Sequence, residues 1–542
     1  MHPRTISITL TIFAFVSWLA SIYQARIRFV EGIGGLGIIT VMPIAFFVSI
    51  SLLTVSFLMA LVVNHKNQTT LFCQVIMLIL FLNLTPALIE TTPRFISTYQ
   101  NYQAVDYILQ KGSINPSEQW IHNWPGFSIA YSILMQTTAL PEAVLLEVYP
   151  TFFNITLFFA LFIFFSLTIN DKKPKWIALW TFYVANWVGQ DYFSMQSLGF
   201  LAFSLVLFAV FKLMNMEVRS RRWSIMIILL TLTAVISHML TSIIILAVFL
   251  VFLVSRNLRR LGLFAVLVAI FASWIIYCAI PYLQTNMARQ STSALNLLSI
   301  FQKNITSRVT GSLARIFVEN VRLTFSALIT AFALLGFMLT LRSRKMIRNE
   351  KRVVLILIGV TLPIFFFAYG GELIMRIFLF SLIPLVYFVA MGSRRNIFFT
   401  VLSIFLVTVA PPLCLIARYG NETINYVPVS QIEGTEQFYK VTTEGNVVLY
   451  PNVDSRYRAS FKYFPLSSVE WNSSTSSLER NKFERPDWPR FVCISHLTTE
   501  FYDFYLGEPQ FIASICKNLT ESIHYNKVFS NPSFDVYVEL SR

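Results

Sequence analysis

Residues 90–127 read ETTPRFISTYQNYQAVDYILQKGSINPSEQWIHNWPGF. This is the first long polar stretch of the chain, and it starts where the apolar run 71–89 stops. Three carboxylates (Glu90, Asp106, Glu118), two cations (Arg94, Lys111) and two tryptophans crowd into it. The residues before it read as membrane anchor, and most of the chain beyond it reads as a helical wall around it. With 56% hydrophobic residues, 13% charged residues and 51 Phe in 542 residues, the chain is not a soluble globular protein. Apolar runs of ~20 residues with almost no charge are long enough to cross a bilayer.

Thirteen such runs occur, at roughly 5–23, 37–63, 71–89, 148–169, 176–190, 195–214, 224–239, 240–254, 261–281, 319–341, 353–368, 376–392 and 396–416. The first reads as an uncleaved span, because Tyr23, Gln24, Ala25 and Arg26 follow it instead of a small-residue exit site. Basic clusters at 172–175, 219–222, 256–260, 342–352 and 394–395 fit one cytoplasmic side without conflict. This predicts a multi-pass protein of the cell membrane, amino terminus inside and carboxyl terminus outside. Segments 90–149, 190–194, 238–241, 281–319 and 369–372 then lie outside, and Arg26 and Arg28 are the exceptions to the rule. Residues 126–140 would break the pattern if they crossed. They read as an interfacial helix, with Trp120 and Trp124 at headgroup level. The net charge of +15 sits in these short clusters between apolar runs, which points to the bilayer and not to nucleic acid.

From Arg418 the composition turns polar, so the chain divides into a transmembrane part, 1–417, with an outer loop at 90–147, and an extracytoplasmic domain, 418–542. Alternating stretches at 446–450 and 534–539 predict strands of a small α/β or β-rich domain. If that domain meets an oxidising compartment, Cys493 and Cys516 can pair. Glycosylation acceptor patterns fall at Asn304, Asn421, Asn472 and Asn518 on the outer side; others fall at Asn67, Asn83 and Asn154, inside or within spans.

The candidate site residues gather at the outer ends of spans. Glu90 leaves the third run with Arg94 four residues on; partial desolvation raises its basicity and suits a general base, the alternative being an internal pair with Arg94. Asp191 occupies a minimal turn beside Tyr192, where it would hold Mg2+ or Mn2+ or else cap the next helix. His238 sits in another minimal turn, as a ligand-contacting or a structural residue. Gly370 and Gly371 precede Glu372 and Arg376; paired glycines admit a close ligand and an arginine fork suits phosphate, unless Arg376 merely pairs with Glu372.

These features resemble the GT-C superfamily of integral-membrane glycosyltransferases. The stretches ETTPRF, NWPGF, QDYFSMQSLGF, SHMLTS and YGGELIMRIFLF are similar to those of uncharacterised archaeal and bacterial membrane proteins of that type. The resemblance implies a sugar on a polyprenyl phosphate or diphosphate, passed on the outer face to a glycan, lipid or protein acceptor. It implies a base at Glu90, an acid or metal ligand at Asp191, and substrate contacts from Arg94, Tyr192, His238, Glu372 and Arg376. Two departures stand out. Glu90 has no second acid in the Asp-x-Asp manner, and the WWDYG motif of oligosaccharyltransferases is missing, which argues against protein N-glycosylation. A flippase for lipid-linked glycans, or a non-catalytic glycan assembly protein, is the alternative. A flippase would more often carry internal repeats and charges at the bilayer midplane.

Overall fold

The computed structural model describes residues 3–29, 33–63, 68–116, 120–216, 220–280, 283, 309–342, 348–365, 372–395, 397–442, 447–450 and 490–540. Each of the thirteen apolar runs forms a helix. They are α1 Pro3–Phe29, α2 Ile44–Val63, α3 Gln68–Ile89, α6 Glu142–Thr168, α7 Lys172–Ala185, α8 Met195–Asn215, α9 Arg221–Ser237, α10 Met239–Val254, α11 Leu261–Tyr277, α12 Leu313–Arg342, α13 Arg348–Thr361, α14 Leu373–Arg395 and α15 Ile397–Tyr419. Between α3 and α6 lie α4 Ile96–Lys111 and α5 Gly126–Thr138. Among the described residues, eight helices are long and apolar enough to cross a bilayer by length and composition, and α10 and α11 are shorter apolar helices. Their outward faces are apolar too, as at Phe13, Phe152, Leu229, Val254, Met338 and Phe405. A helix apolar on every side belongs in lipid.

Side-chain ties fix which helix ends share a level. Arg394 at the end of α14 pairs with Asp171 before α7 (2.5 Å). Asn349 donates to the Thr168 carbonyl (3.3 Å), and Arg352 donates to Asn215 (2.5 Å) and to the Met214 carbonyl (3.0 Å). The turns α6–α7, α8–α9, α12–α13 and α14–α15 therefore meet at one end of the bundle. Glu90, Asp191, His238, Arg376 and Arg418 all sit at helix ends of the other. The charge rule applied to the sequence requires this same division.

After α15 the chain forms α16 Val429–Val441, β1 Val447–Tyr450, β2 Phe491–Ser495, α17 His496–Glu500, a π-helical turn Phe501–Leu506, α18 Phe511–Glu521, β3 Tyr525–Asn531 and β4 Phe534–Glu539. The strands make a four-stranded sheet in the order β1-β2-β4-β3, with β1 parallel to β2 and the other pairs antiparallel. The period-two alternation of β2 sorts its side chains. Phe491 and Cys493 join Phe438 and Tyr439 of α16, whereas Val492 and Ile494 join Ile512 and Ile515 of α18. This corrects the expected disulfide. Cys516, on α18, packs with the second group, so the sheet separates it from Cys493 and both thiols are free.

Two further expectations change. Trp124 is buried in the helical core instead of resting at headgroup level, because α11 covers the loop beside it, with Trp274 Nε1 donating to the Asn123 carbonyl (3.1 Å). Helix α5 does expose Ile129, Ile133 and Leu134 along one side. Asn421 is buried and donates to Glu319 (3.2 Å), so it offers no glycosylation acceptor, while Asn518 is exposed. Asn67, Asn304, Asn472 and the side chain of Trp120 lie outside the described residues.

Candidate active site

The sequence that leaves α3 builds the site. Pro86 lies within the last turn of α3, and the Glu90 N–H donates to its carbonyl (2.8 Å), which ends the helix on a carboxylate. Residues 91–95 then run against the start of the C-terminal domain. Thr92 Oγ1 donates to the Val427 carbonyl (2.5 Å) and Phe95 N–H to the Asn425 carbonyl (2.8 Å). Phe95 takes φ 65° before starting α4, a left-handed value uncommon for a bulky residue. Its ring meets Tyr192 at 5.1 Å and lies under the Arg94 guanidinium at 4.7 Å.

Two carboxylate–arginine clusters result. In the first, Arg94 grips Glu422 through two parallel bonds, Nε to Oε1 at 2.6 Å and Nη2 to Oε2, while Glu90 stands 3.8 Å from Arg94 Nε. The Glu422 side chain is wholly buried and that of Glu90 is 1% exposed. Among the described residues, no hydrogen-bond donor reaches either oxygen of Glu90. Burial, and next the Glu422 carboxylate, raise its proton affinity well above the ordinary carboxylate range, against the pull of Arg94. The approach of the 33–41 loop closes this cluster from behind. A Cβ on Gly37, at φ 62°, would stand 2.0 Å from the Tyr419 carbonyl oxygen and 2.8 Å from Glu422 Cβ.

In the second cluster Asp191 Oδ2 accepts from Asn154 Nδ2 (2.6 Å) and from Arg418 Nη2 (2.7 Å). Arg418 Nη2 also donates to Asn83 Oδ1 (2.8 Å), and Nη1 donates to the Asn186 carbonyl (3.1 Å). Asn154 completes the ring by donating to Asn83 Oδ1 (3.1 Å). Asp191 does not cap α8; Ser194 does, accepting from Ser197 N–H (3.3 Å).

A small, narrow cleft lies between these clusters. Arg94, Phe95, Glu147, Asp191, Tyr192 and Arg418 face it, together with Asn83, Thr92 and Pro150. Glu90 is not on its wall: it lies one layer behind Arg94. His238 and Arg376 are not on it either. Arg376 is held by Glu372 (Nη2–Oε2 2.6 Å) and by Gln196 Oε1, so the internal pair foreseen as its alternative exists. His238 caps α10, accepting from Thr241 N–H (3.3 Å). Tyr369, Gly370 and Gly371 lie outside the described residues.

The metal expectation meets an unfavourable donor set. Asp191 already serves an internal cation, and among the described residues no group of three or more His, Cys, Asp or Glu gathers. Mg2+ and its like want about six oxygen ligands in open geometry. Among the described residues, Asp191 gathers no such set around it.

Sequence patterns alone do not mark Arg418, Glu422, Asn83 or Asn154 as site residues. A signal exists for Arg418, a cation at the end of an apolar run, where burial demands a partner. Asn83 and Asn154 appear in the sequence only as glycosylation patterns inside spans.

No protein-family model matches the chain, and no curated protein matches it. Solved structures do. The Archaeoglobus fulgidus oligosaccharyltransferase tethered to an acceptor peptide aligns over 87% of this chain and 74% of its own, at TM-score 0.51 and 10% identity. Its apo form aligns over 81% and 70%, also at TM-score 0.51 and 10% identity. ArnT from Cupriavidus metallidurans bound to undecaprenyl phosphate aligns over 88% and 99%, at TM-score 0.49 and 12% identity. The chain shares the fold of the Archaeoglobus fulgidus oligosaccharyltransferase, and it ends in a small C-terminal α/β domain.

Proposed function

We propose that the protein is a membrane glycosyltransferase that moves a sugar from a polyprenyl-phosphate-linked donor to an extracytoplasmic glycan, lipid or protein acceptor. The observation that carries this reading is the cleft at the helix ends, where a held carboxylate, Asp191, shares a wall with two arginines on a GT-C fold. The acceptor hydroxyl oxygen bonds to the anomeric carbon while the bond from that carbon to the phosphate oxygen breaks. The electron pair leaves with the phosphate, and the hydroxyl proton passes to Asp191. A departing lipid phosphate is already a stable anion, so the site needs a base and positive charge but no general acid. Asp191 supplies the base: its internal bonds all go to Oδ2, which leaves Oδ1 for the acceptor. Arg94 supplies charge from the same wall, since its grip on Glu422 uses Nε and Nη2 and leaves Nη1. The cleft lies at the end opposite the basic clusters, and the charge rule supports reading that end as the outer one.

A second reading keeps Glu90 as the base. It is favoured by the two oxygens of Glu90 that receive no donor and by its raised proton affinity. One experiment separates both readings from transport. Purified protein in liposomes is given a short-chain polyprenyl phosphate carrying radiolabelled hexose, with host membrane extract as acceptor source. Label in a new glycosidic linkage, lost in Asp191→Asn and kept in Glu90→Gln, supports the first reading. The reverse pattern supports the second. Movement of intact labelled lipid across the bilayer, with no new glycosidic bond, means a flippase.

A further inference from the structure

We propose that Asn83 and Asn154 are positioning residues for Asp191, Asn154 by donating to its Oδ2 and Asn83 by accepting from Asn154 and Arg418, the two groups that hold that oxygen, so that the other oxygen is presented to the cleft; this rests on the transferase reading with Asp191 as base. Asp191 lies in a turn of minimal length, and a turn alone does not fix a side chain to the fraction of an ångström that proton transfer requires. Here the fixing comes from elsewhere. Asn83 is on α3, Asn154 on α6 and Arg418 at the end of α15, while the carbonyl of Asn186, just past α7, takes the remaining edge of Arg418. Two of these elements, through Asn154 and Arg418, hold Oδ2 of Asp191 directly, and the other two, through Asn83 Oδ1 and the Asn186 carbonyl, hold those two donors in place.

Every member of the ring is buried, Asn83 to 6%, Asn154 to 1%, Asp191 to 3% and Arg418 to 7% exposure. Burying four polar side chains at the end of a membrane bundle is costly unless each is satisfied. A Leu at 83 or 154 would serve a helix in lipid better. Both asparagines are also anchored on their own helices, Asn83 Nδ2 to the Ile79 carbonyl (2.9 Å) and Asn154 Nδ2 to the Pro150 carbonyl (2.8 Å). Each amide is therefore aimed before Asp191 arrives. Pro150 itself lies within α6 one turn ahead of Asn154 and on the cleft wall. The other ionisable groups facing Asp191 are Tyr149 on α6, Tyr183 on α7 and Cys414 on α15; Tyr183 in turn donates to the Asn154 carbonyl (2.9 Å).

The test is a kinetic cycle in the liposome assay with the radiolabelled polyprenyl phosphate hexose. Asn83→Leu and Asn154→Leu are expected to lower kcat by roughly 10- to 100-fold, with the KM for the labelled donor within about twofold, because orientation and not binding is lost. In the Asp191→Asn background the same changes are expected to cause no further loss, since the group they position is gone. A merely structural role would lower activity equally in both backgrounds. Should a leucine variant fail to fold, Asn154→Ser removes the amide donor to Asp191 with a smaller polar side chain, and Asn83→Ser removes the amide acceptor that holds Asn154 and Arg418. Full kcat in the folded variants, or losses that simply multiply with Asp191→Asn, overturns the proposal while leaving the transferase reading intact. Absence of any transfer by the unaltered protein overturns both.

Discussion

Glu90 and Asp191 are both carboxylates at the end of an apolar run, both buried, and both within reach of an arginine. The structure treats them differently. Asp191 has an arginine and an amide on one oxygen and an open cleft before it. Among the described residues Glu90 has no donor on either oxygen, and the arginine beside it has committed two donors to a third carboxylate, Glu422. The lesson is that an arginine at a helical spacing from an acid is not thereby its partner. Arg94 is four residues from Glu90, yet it binds a residue over three hundred positions away. The bidentate geometry wins because two parallel charge-assisted bonds outweigh a single contact at 3.8 Å.

The strongest way to break this comparison is transfer itself. Asp191→Asn is expected to reduce transfer by ~10²–10⁴, the range for loss of a general base, with Glu90→Gln within tenfold of the unaltered protein. Rates measured side by side decide between the two acids. Next comes stability. Arg418→Leu strands Asp191 as a buried charge without its cation, and breaking a buried pair in this way costs about 3–5 kcal/mol. A fall in the thermal midpoint several times that of a surface arginine variant would bear this out, and an unchanged midpoint would mean that the ion pair does not hold the fold.

A third prediction uses pH. The folded protein holds the Glu90 proton more tightly than the unfolded chain does. The stability linked to that proton is present below the ordinary carboxylate pKa and is lost as pH rises through the raised folded value. The unaltered protein is thus expected to lose thermal stability more steeply than Glu90→Gln as pH rises above the ordinary carboxylate range. Parallel curves would mean that Glu90 is ionised throughout. The smallest effect belongs to the Arg376 pair. Glu372 is 48% exposed, so Glu372→Gln should change stability by less than ~1 kcal/mol. A larger loss would give the Glu372–Arg376 pair a weight its exposure does not.

The sequence by itself determined the apolar helices, the helix at 126–140 in the outer loop, and the strands now seen at Val447–Tyr450 and Phe534–Glu539. Those features depend on local pattern: about twenty apolar residues, a basic turn, a period of two. It also brought Glu90, Arg94, Asp191 and Tyr192 forward, because a charge at the end of a span is expensive wherever the chain goes. Only the tertiary structure decided their partners. Asn83, Asn154, Asp191 and Arg418 are spread over more than three hundred residues, and nothing in their spacing says that α3, α6 and α15 end side by side. The same holds for Cys493 and Cys516, which share a domain and still face opposite sides of a sheet. Hydrophobic periodicity dictates which face of an element is buried; which buried polar groups then meet is settled by how the elements pack, and that is a property of the whole chain.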